Sequence, residues 1–144
     1  MNGLKFNSQV CTDRHQSKRL LEMGLKPETA DMVLIKELAY DAVAHCTYDA
    51  DTYMIRTIDY LEGEKHRGHI PAWSLHRLIE MMPTIITQDD YSLILGVNDS
   101  CVYYADDVYA ETFKNFEGNL YNCVVKCIEW LIKEGHFNKE YLKQ

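Results

Sequence analysis

The sequence predicts an α+β fold in which an antiparallel sheet, including a meander over about 91–112, packs against helices over about 13–23, 75–82 and 120–134. Two patterns carry that prediction. Apolar residues recur at i, i+3, i+4 and i+7 over 75–82 and at helical spacing over 120–131, and Tyr91, Leu93, Leu95 and Val97 alternate with Ser92, Ile94 and Gly96. At 144 residues the chain has the size of one domain, so residues 1–144 read as a single globular unit around one core.

The first helix takes Thr12 or Asp13 as its cap, with Gln16 placed to complete an Asp-x-x-Gln box. Gly24 supplies the left-handed residue at its end, which folds Leu25 back on Leu20. Pro27 then suits the first position of a short helical turn through Ala30. From there two readings stand open. Met32 to Ile35 is a continuous apolar run of strand length, yet Met32, Ile35, Ala39, Ala42, Val43 and Cys46 also form a helical stripe, so 30–46 reads as a strand with its connection or as one helix. The Val-Leu-Ile content favours the strand. Polar residues dominate 47–52, the aromatic and β-branched run Tyr53 to Tyr60 reads as a second strand, and Glu62 to His69 reads as a loop.

Ile70 to Pro83 is the most completely specified stretch. Pro71 pushes Ile70 toward an extended conformation, Ser74 is a strong N-cap, and Pro83 stops the helix begun there. Leu75, Leu78, Ile79 and Met82 make its apolar stripe, and Trp73 is placed to close over Leu78 as a hydrophobic staple. Beyond it, strands at Tyr91–Val97, Cys101–Ala105 and Val108–Thr112 form the meander, with turns at Asn98–Ser100 and Asp106-Asp107. A three-residue loop at Asn98–Ser100 puts Leu93, Leu95 and Val97 on the face of Cys101, Tyr103 and Ala105, whereas a two-residue loop moves them to the face of Val102 and Tyr104. We take the three-residue loop as the expectation. Phe113 to Gly118 reads as a connection, and the last helix runs from its cap Asn119 to Gly135, burying Leu120, Val124, Cys127, Ile128 and Leu131. Tyr141 and Leu142 are expected to dock back weakly.

Composition narrows the function classes. Hydrophobic residues at 47% with ten tyrosines describe a folded protein, and a formal charge of −7 argues against general binding of nucleic acid. No apolar run has the length of a membrane span and Met1 to Val10 lacks the order of a signal peptide, so the sequence implies a cytoplasmic location with no membrane association. The five cysteines form no CxxC pair and read as reduced, mostly buried thiols.

Gln16 to Leu25, Pro27 to Met32 and Ile70 to Pro83, together with Trp130-Leu131-Ile132-Lys133-Glu134-Gly135, resemble a large family of short uncharacterised proteins. That family is seen in prophages and conjugative elements of gut anaerobic bacteria. The resemblance implies a single cytoplasmic domain and carries over no activity, substrate or functional residue.

Several patterns could carry chemistry. Tyr104-Ala105-Asp106-Asp107 matches the Tyr-x-Asp-Asp hairpin of reverse transcriptases, but an acidic chain of this size lacks a channel for template, and we read a plain turn. Cys123 and Cys127 with His136 or His45 have zinc-like side chains, and His66 and His69 form an H-x-x-H pair; helical packing and a solvated loop are the simpler readings. No Gly-rich oxyanion motif marks a Cys–His nucleophile. No cofactor is implied.

One surface can be argued by residue. A two-residue turn at Asp106-Asp107 sets Tyr104 opposite Tyr109 and Val102 opposite Glu111, facing away from a core of Cys101, Tyr103, Ala105, Val108 and Ala110. Tyr104, Tyr109, Asp106, Asp107 and Glu111 are therefore the candidate partner-binding residues. The function expected is that of a small non-enzymatic protein of a mobile element that binds another macromolecule, an unidentified protein. The alternatives are an acidic nucleic-acid mimic that inhibits a host DNA-binding protein, and a metal-dependent or thiol enzyme; self-association stays open.

Overall fold

The longest helix, α3 (Leu120–Lys133), organises the fold, and the sequence specifies both of its ends. Asn119 caps it by accepting from the Asn122 N–H. Gly135, at φ +78°, ends it, with the Gly135 and His136 N–H groups bonded to the Ile132 and Leu131 carbonyls. These two bonds make a Schellman motif. Tyr121, Cys123, Val124, Val125, Cys127, Ile128 and Leu131 are all buried, a wider face than one stripe, because α3 lies against helices as well as a sheet.

The computed structural model describes residues 8–58, 69–106 and 112–144. Their order is α1 (Arg14–Glu22), β1 (Met32–Asp41), β2 (Cys46–Thr57), β3 (Ile70–Ala72), α2 (Leu75–Met81), β4 (Ile85–Gln88), β5 (Tyr91–Val97), β6 (Cys101–Asp106), β7 (Thr112–Glu117) and α3. All pairings are antiparallel, in two sheets ordered β2-β1-β3 and β4-β5-β6-β7. The main core joins α1, α2 and α3 to the inner face of the four-stranded sheet, through Leu20, Leu78, Ile86, Leu93, Val102, Tyr104 and Ile128 among others. A smaller cluster of Cys11, Leu34 and Ala72 lies at the other sheet.

Both termini of α1 are as the sequence implies. Asp13 and Gln16 form the reciprocal capping box, and the Gly24 and Leu25 N–H groups return to the Leu21 and Leu20 carbonyls with Gly24 at φ +103°. Pro27 opens a 3-10 turn at Pro27–Thr29. The tail is held more firmly than expected: Lys26 N–H bonds to the Tyr141 carbonyl at 2.9 Å and Lys143 N–H to the Gly24 carbonyl at 2.7 Å, so Leu25 and Leu142 form a β-bridge.

Trp73 joins the sheets to the helices. Its main chain exchanges bonds with Thr12, Thr12 N–H to the Trp73 carbonyl at 2.8 Å and Trp73 N–H to Thr12 Oγ1 at 3.0 Å. Its indole N–H donates to Thr29 Oγ1 at 2.9 Å, and the next residue, Ser74, donates its N–H and its hydroxyl to the Asp31 carboxylate. Ser74 also caps α2 by accepting from the Arg77 N–H. Ser74→Ala is expected to cost on the order of 1 kcal/mol, and Leu78→Ala, at a fully buried position, about 2–5 kcal/mol. Urea midpoints of the two variants check this; equal, negligible shifts would refute the account of α2.

The remaining differences lie in the strands. Residues 32–41 are a strand, which decides against one helix over 30–46, and β2 begins at Cys46, so the polar residues 47–52 are strand as well. Most of the loop expected at Glu62 to His69 lies outside the described residues, as do Asp59 and Tyr60. β4 has no counterpart among the expected elements; it pairs with β5 across a two-residue turn in which Asp89 and Asp90 both have positive φ, the type I′ pattern. β7 replaces the connection expected at Phe113–Gly118.

Candidate partner-binding surface

The β5–β6 register sets Leu95 opposite Tyr104 and Val97 opposite Val102, and Asn98 N–H bonds to the Cys101 carbonyl. The loop is therefore the two-residue one, and the faces are the reverse of those expected, since a one-residue slip exchanges them. Tyr104 is fully buried against α3, with its ring 5.9 Å from that of Trp130 and its hydroxyl donating to the Pro83 carbonyl at 2.6 Å. Burial pushes its phenol well above the usual tyrosine range, consistent with a permanently protonated donor.

The turn at Asp106-Asp107 is corrected too. Ala105 pairs with Thr112 and Tyr104 with Lys114, so residues 106–111 separate the paired positions and Tyr104 is not opposite Tyr109. Asp106 ends β6, half-buried; Asp107, Tyr109 and Glu111 lie outside the described residues. The expected patch thus loses Tyr104 to the core.

Among the described residues the cysteines and histidines are not brought together into a metal site. Cys123 and Cys127 are buried in α3, and burial first, then the neighbouring Cys123, pushes the Cys127 thiol up to about 12. Burial, with Asp31 and Asp13 nearby, pushes Cys11 up to about 11. Thiolates are the nucleophiles and metal ligands, so both shifts disfavour that chemistry. His136 Nε2 lies 2.6 Å from Gln88 Oε1, tying the end of α3 to β4, while His45 stands 3.4 Å from the Tyr40 hydroxyl. Among the described residues no group of three or more His, Cys, Asp or Glu could hold a metal ion.

What the fold does expose is the far half of the β1–β2 ribbon. β3 pairs with β1 only from Met32 to Leu34, whereas β2 follows β1 to the Asp41–Cys46 pair. Beyond Leu34, among the described residues, no third strand flanks the ribbon. Large apolar side chains lie there in the open: Leu38 is 70% exposed, Tyr40 62%, Tyr48 53% and Val43 91%. Isolated apolar residues are ordinary on a surface, but four on one two-stranded projection are not.

The ribbon is built to hold them out. Its tip is closed by Asp41, whose Oδ1 accepts from the Val43 and Ala44 N–H groups at 2.9 and 3.1 Å, with His45 at φ +52° completing the reversal. Val43 is fixed at the apex as a result. Midway, the register passes from Lys36–Tyr53 to Leu38–Asp49, a bulge in which residues 50–52 of β2 stand against Glu37, and the Thr52 hydroxyl bonds to the Glu37 carboxylate at 3.0 Å. Bulges increase the local twist and re-aim side chains. At the root of the ribbon, Leu34, Tyr53 and Ile55 wall a groove of about 430 Å³ against residues 8–15.

Sequence reasoning missed this surface because residues 36–46 read either as the connection after a strand at Met32–Ile35 or as part of one helix, and neither reading sets Leu38 and Tyr40 on a projecting strand. The Asp-to-Cys turn between two aromatic-bearing runs was the available signal. No family model matches the chain, and neither a curated protein nor a solved structure matches it. Among the described residues no helix is long and apolar enough to cross a membrane.

Proposed function

We propose that this chain is a binding protein that docks a macromolecular partner through the far half of the β1–β2 ribbon. The observation that carries the reading is the exposure of Leu38, Tyr40, Val43 and Tyr48 on a projection whose tip and bulge are hydrogen-bonded into shape. A two-stranded ribbon is marginal alone in water, and anchoring it on a partner would bury the apolar side chains that the domain leaves out. Tyrosine suits such a surface, offering a large ring and a polar tip. The reading extends to a non-enzymatic protein of a mobile element acting in the cytoplasm, for which the support is the family resemblance of residues 16–25, 27–32, 70–83 and 130–135.

The test compares the wild type with L38S/Y40S/V43S/Y48S as baits in lysate of the native host. These positions touch little of the core, so each substitution should change the stability read from urea unfolding by no more than about 0.5 kcal/mol. Proteins captured by the wild type should be depleted at least tenfold on the variant and should re-form a complex with the wild type when purified. Equal capture by the folded variant would reject the ribbon as the docking surface.

A further inference from the structure

We infer that the segment recognised by the ribbon is cationic, an extended stretch of a partner protein in which Lys or Arg alternates with apolar residues. This rests on the ribbon being the docking surface and adds the chemistry of what it docks. Residues 37–52 contain Glu37, Asp41, Asp49 and Asp51 and no lysine or arginine. Within the same span lie the four exposed apolar side chains, and the register sets Asp49 opposite Leu38 and Thr47 opposite Tyr40. By sequence and register, apolar and acidic residues thus share both strands of one projection, with Leu38 and Tyr40 on one face and Tyr48, opposite Ala39, on the other.

Charge then selects among occupants. A second copy of this chain would bring the same acidic ribbon against its own image, and nucleic acid or an anionic membrane surface would be repelled in the same way. A neutral apolar partner would have to strip water from carboxylates without replacing it, which costs more than the apolar contact returns. A cationic segment answers both features at once. An extended form fits because, among the described residues, β2 is the outer strand of its sheet, so that its outward main-chain groups can pair with an added strand.

The probe is a fluorescent (Lys-Leu)4 peptide, titrated with the full chain and read by polarisation at two salt concentrations, beside (Glu-Leu)4, (Lys-Ser)4 and a labelled DNA duplex. The (Lys-Leu)4 peptide should bind at least tenfold more tightly than the other three and weaken as salt rises. L38S/Y40S/V43S/Y48S and E37Q/D41N/D49N/D51N should each lose at least tenfold. Asn can keep the Asp41 cap of the tip, and D89N/D90N, which removes two charges at the β4–β5 turn, should change binding less than twofold. Equal binding of (Glu-Leu)4, or tight binding of the duplex, would overturn the cationic partner while leaving the ribbon as the docking surface. Equal loss in D89N/D90N would reduce the effect to net charge and overturn the inference. Unchanged binding by the folded L38S/Y40S/V43S/Y48S variant would overturn the ribbon itself.

Discussion

Trp73→Ala is expected to destabilise the protein by about 3–5 kcal/mol, a large share of the roughly 5–15 kcal/mol by which domains of this kind are stable. The side chain is fully buried and among the largest in the core, so truncation leaves a cavity that a packed interior fills only in part. It also removes the donor to Thr29 Oγ1. The main-chain bonds with Thr12 and the neighbouring Ser74–Asp31 bonds survive the substitution, so the loss is that of packing plus one hydrogen bond. Trp73→Phe should fall between, about 1–3 kcal/mol, keeping most of the ring volume without the N–H. Urea unfolding followed by far-ultraviolet circular dichroism reads both, and an alanine variant within about 0.5 kcal/mol of wild type would refute the placement of Trp73 at the junction of sheet and helices.

The helices were legible because their ends are local chemistry. Asp13, Gln16 and Gly24, Ser74, and Asn119 and Gly135 fix termini through bonds within a few residues, which the structure has, and Pro83 stops α2 by holding Met82 extended. What the sequence left ambiguous depends on pairing across the chain. Met32 to Cys46 fits two periodicities, and only the partnership of β1 with both β2 and β3 makes Met32–Asp41 a strand. The β5–β6 register turned on one residue of loop length, because Asn98-Asp99-Ser100 supports either count while Asn98 itself caps the turn through its side chain to the Ser100 and Cys101 N–H groups. The same single residue decided which tyrosines were read as surface. The ribbon was hidden for a related reason: its exposure follows from β3 being only Ile70–Ala72, and a strand that short is set by the chain on either side of it.

Tyr104→Ala should cost about 3–5 kcal/mol, and Tyr103→Ala, its neighbour on the other face, about 1 kcal/mol or less. Tyr104 points into the core between β6 and α3, beside Trp130, with its hydroxyl on the Pro83 carbonyl; truncation empties ring volume and leaves that acceptor unpaired. Tyr104→Phe isolates the second part, at about 1–2 kcal/mol. Tyr103 is only half-buried, lying across Gly96, where a Cβ would come within 2.2 Å of its ring. Without that ring the strand backbone at Gly96 is exposed to water and no core cavity opens. A side chain at Gly96 would force the ring aside, so Gly96→Ala should behave like a milder Tyr103→Ala. The ratio of the two tyrosine effects therefore reads the sheet's register directly: a larger loss for Tyr103→Ala than for Tyr104→Ala would return the three-residue loop, exchange the faces, and put Tyr104 back on the surface.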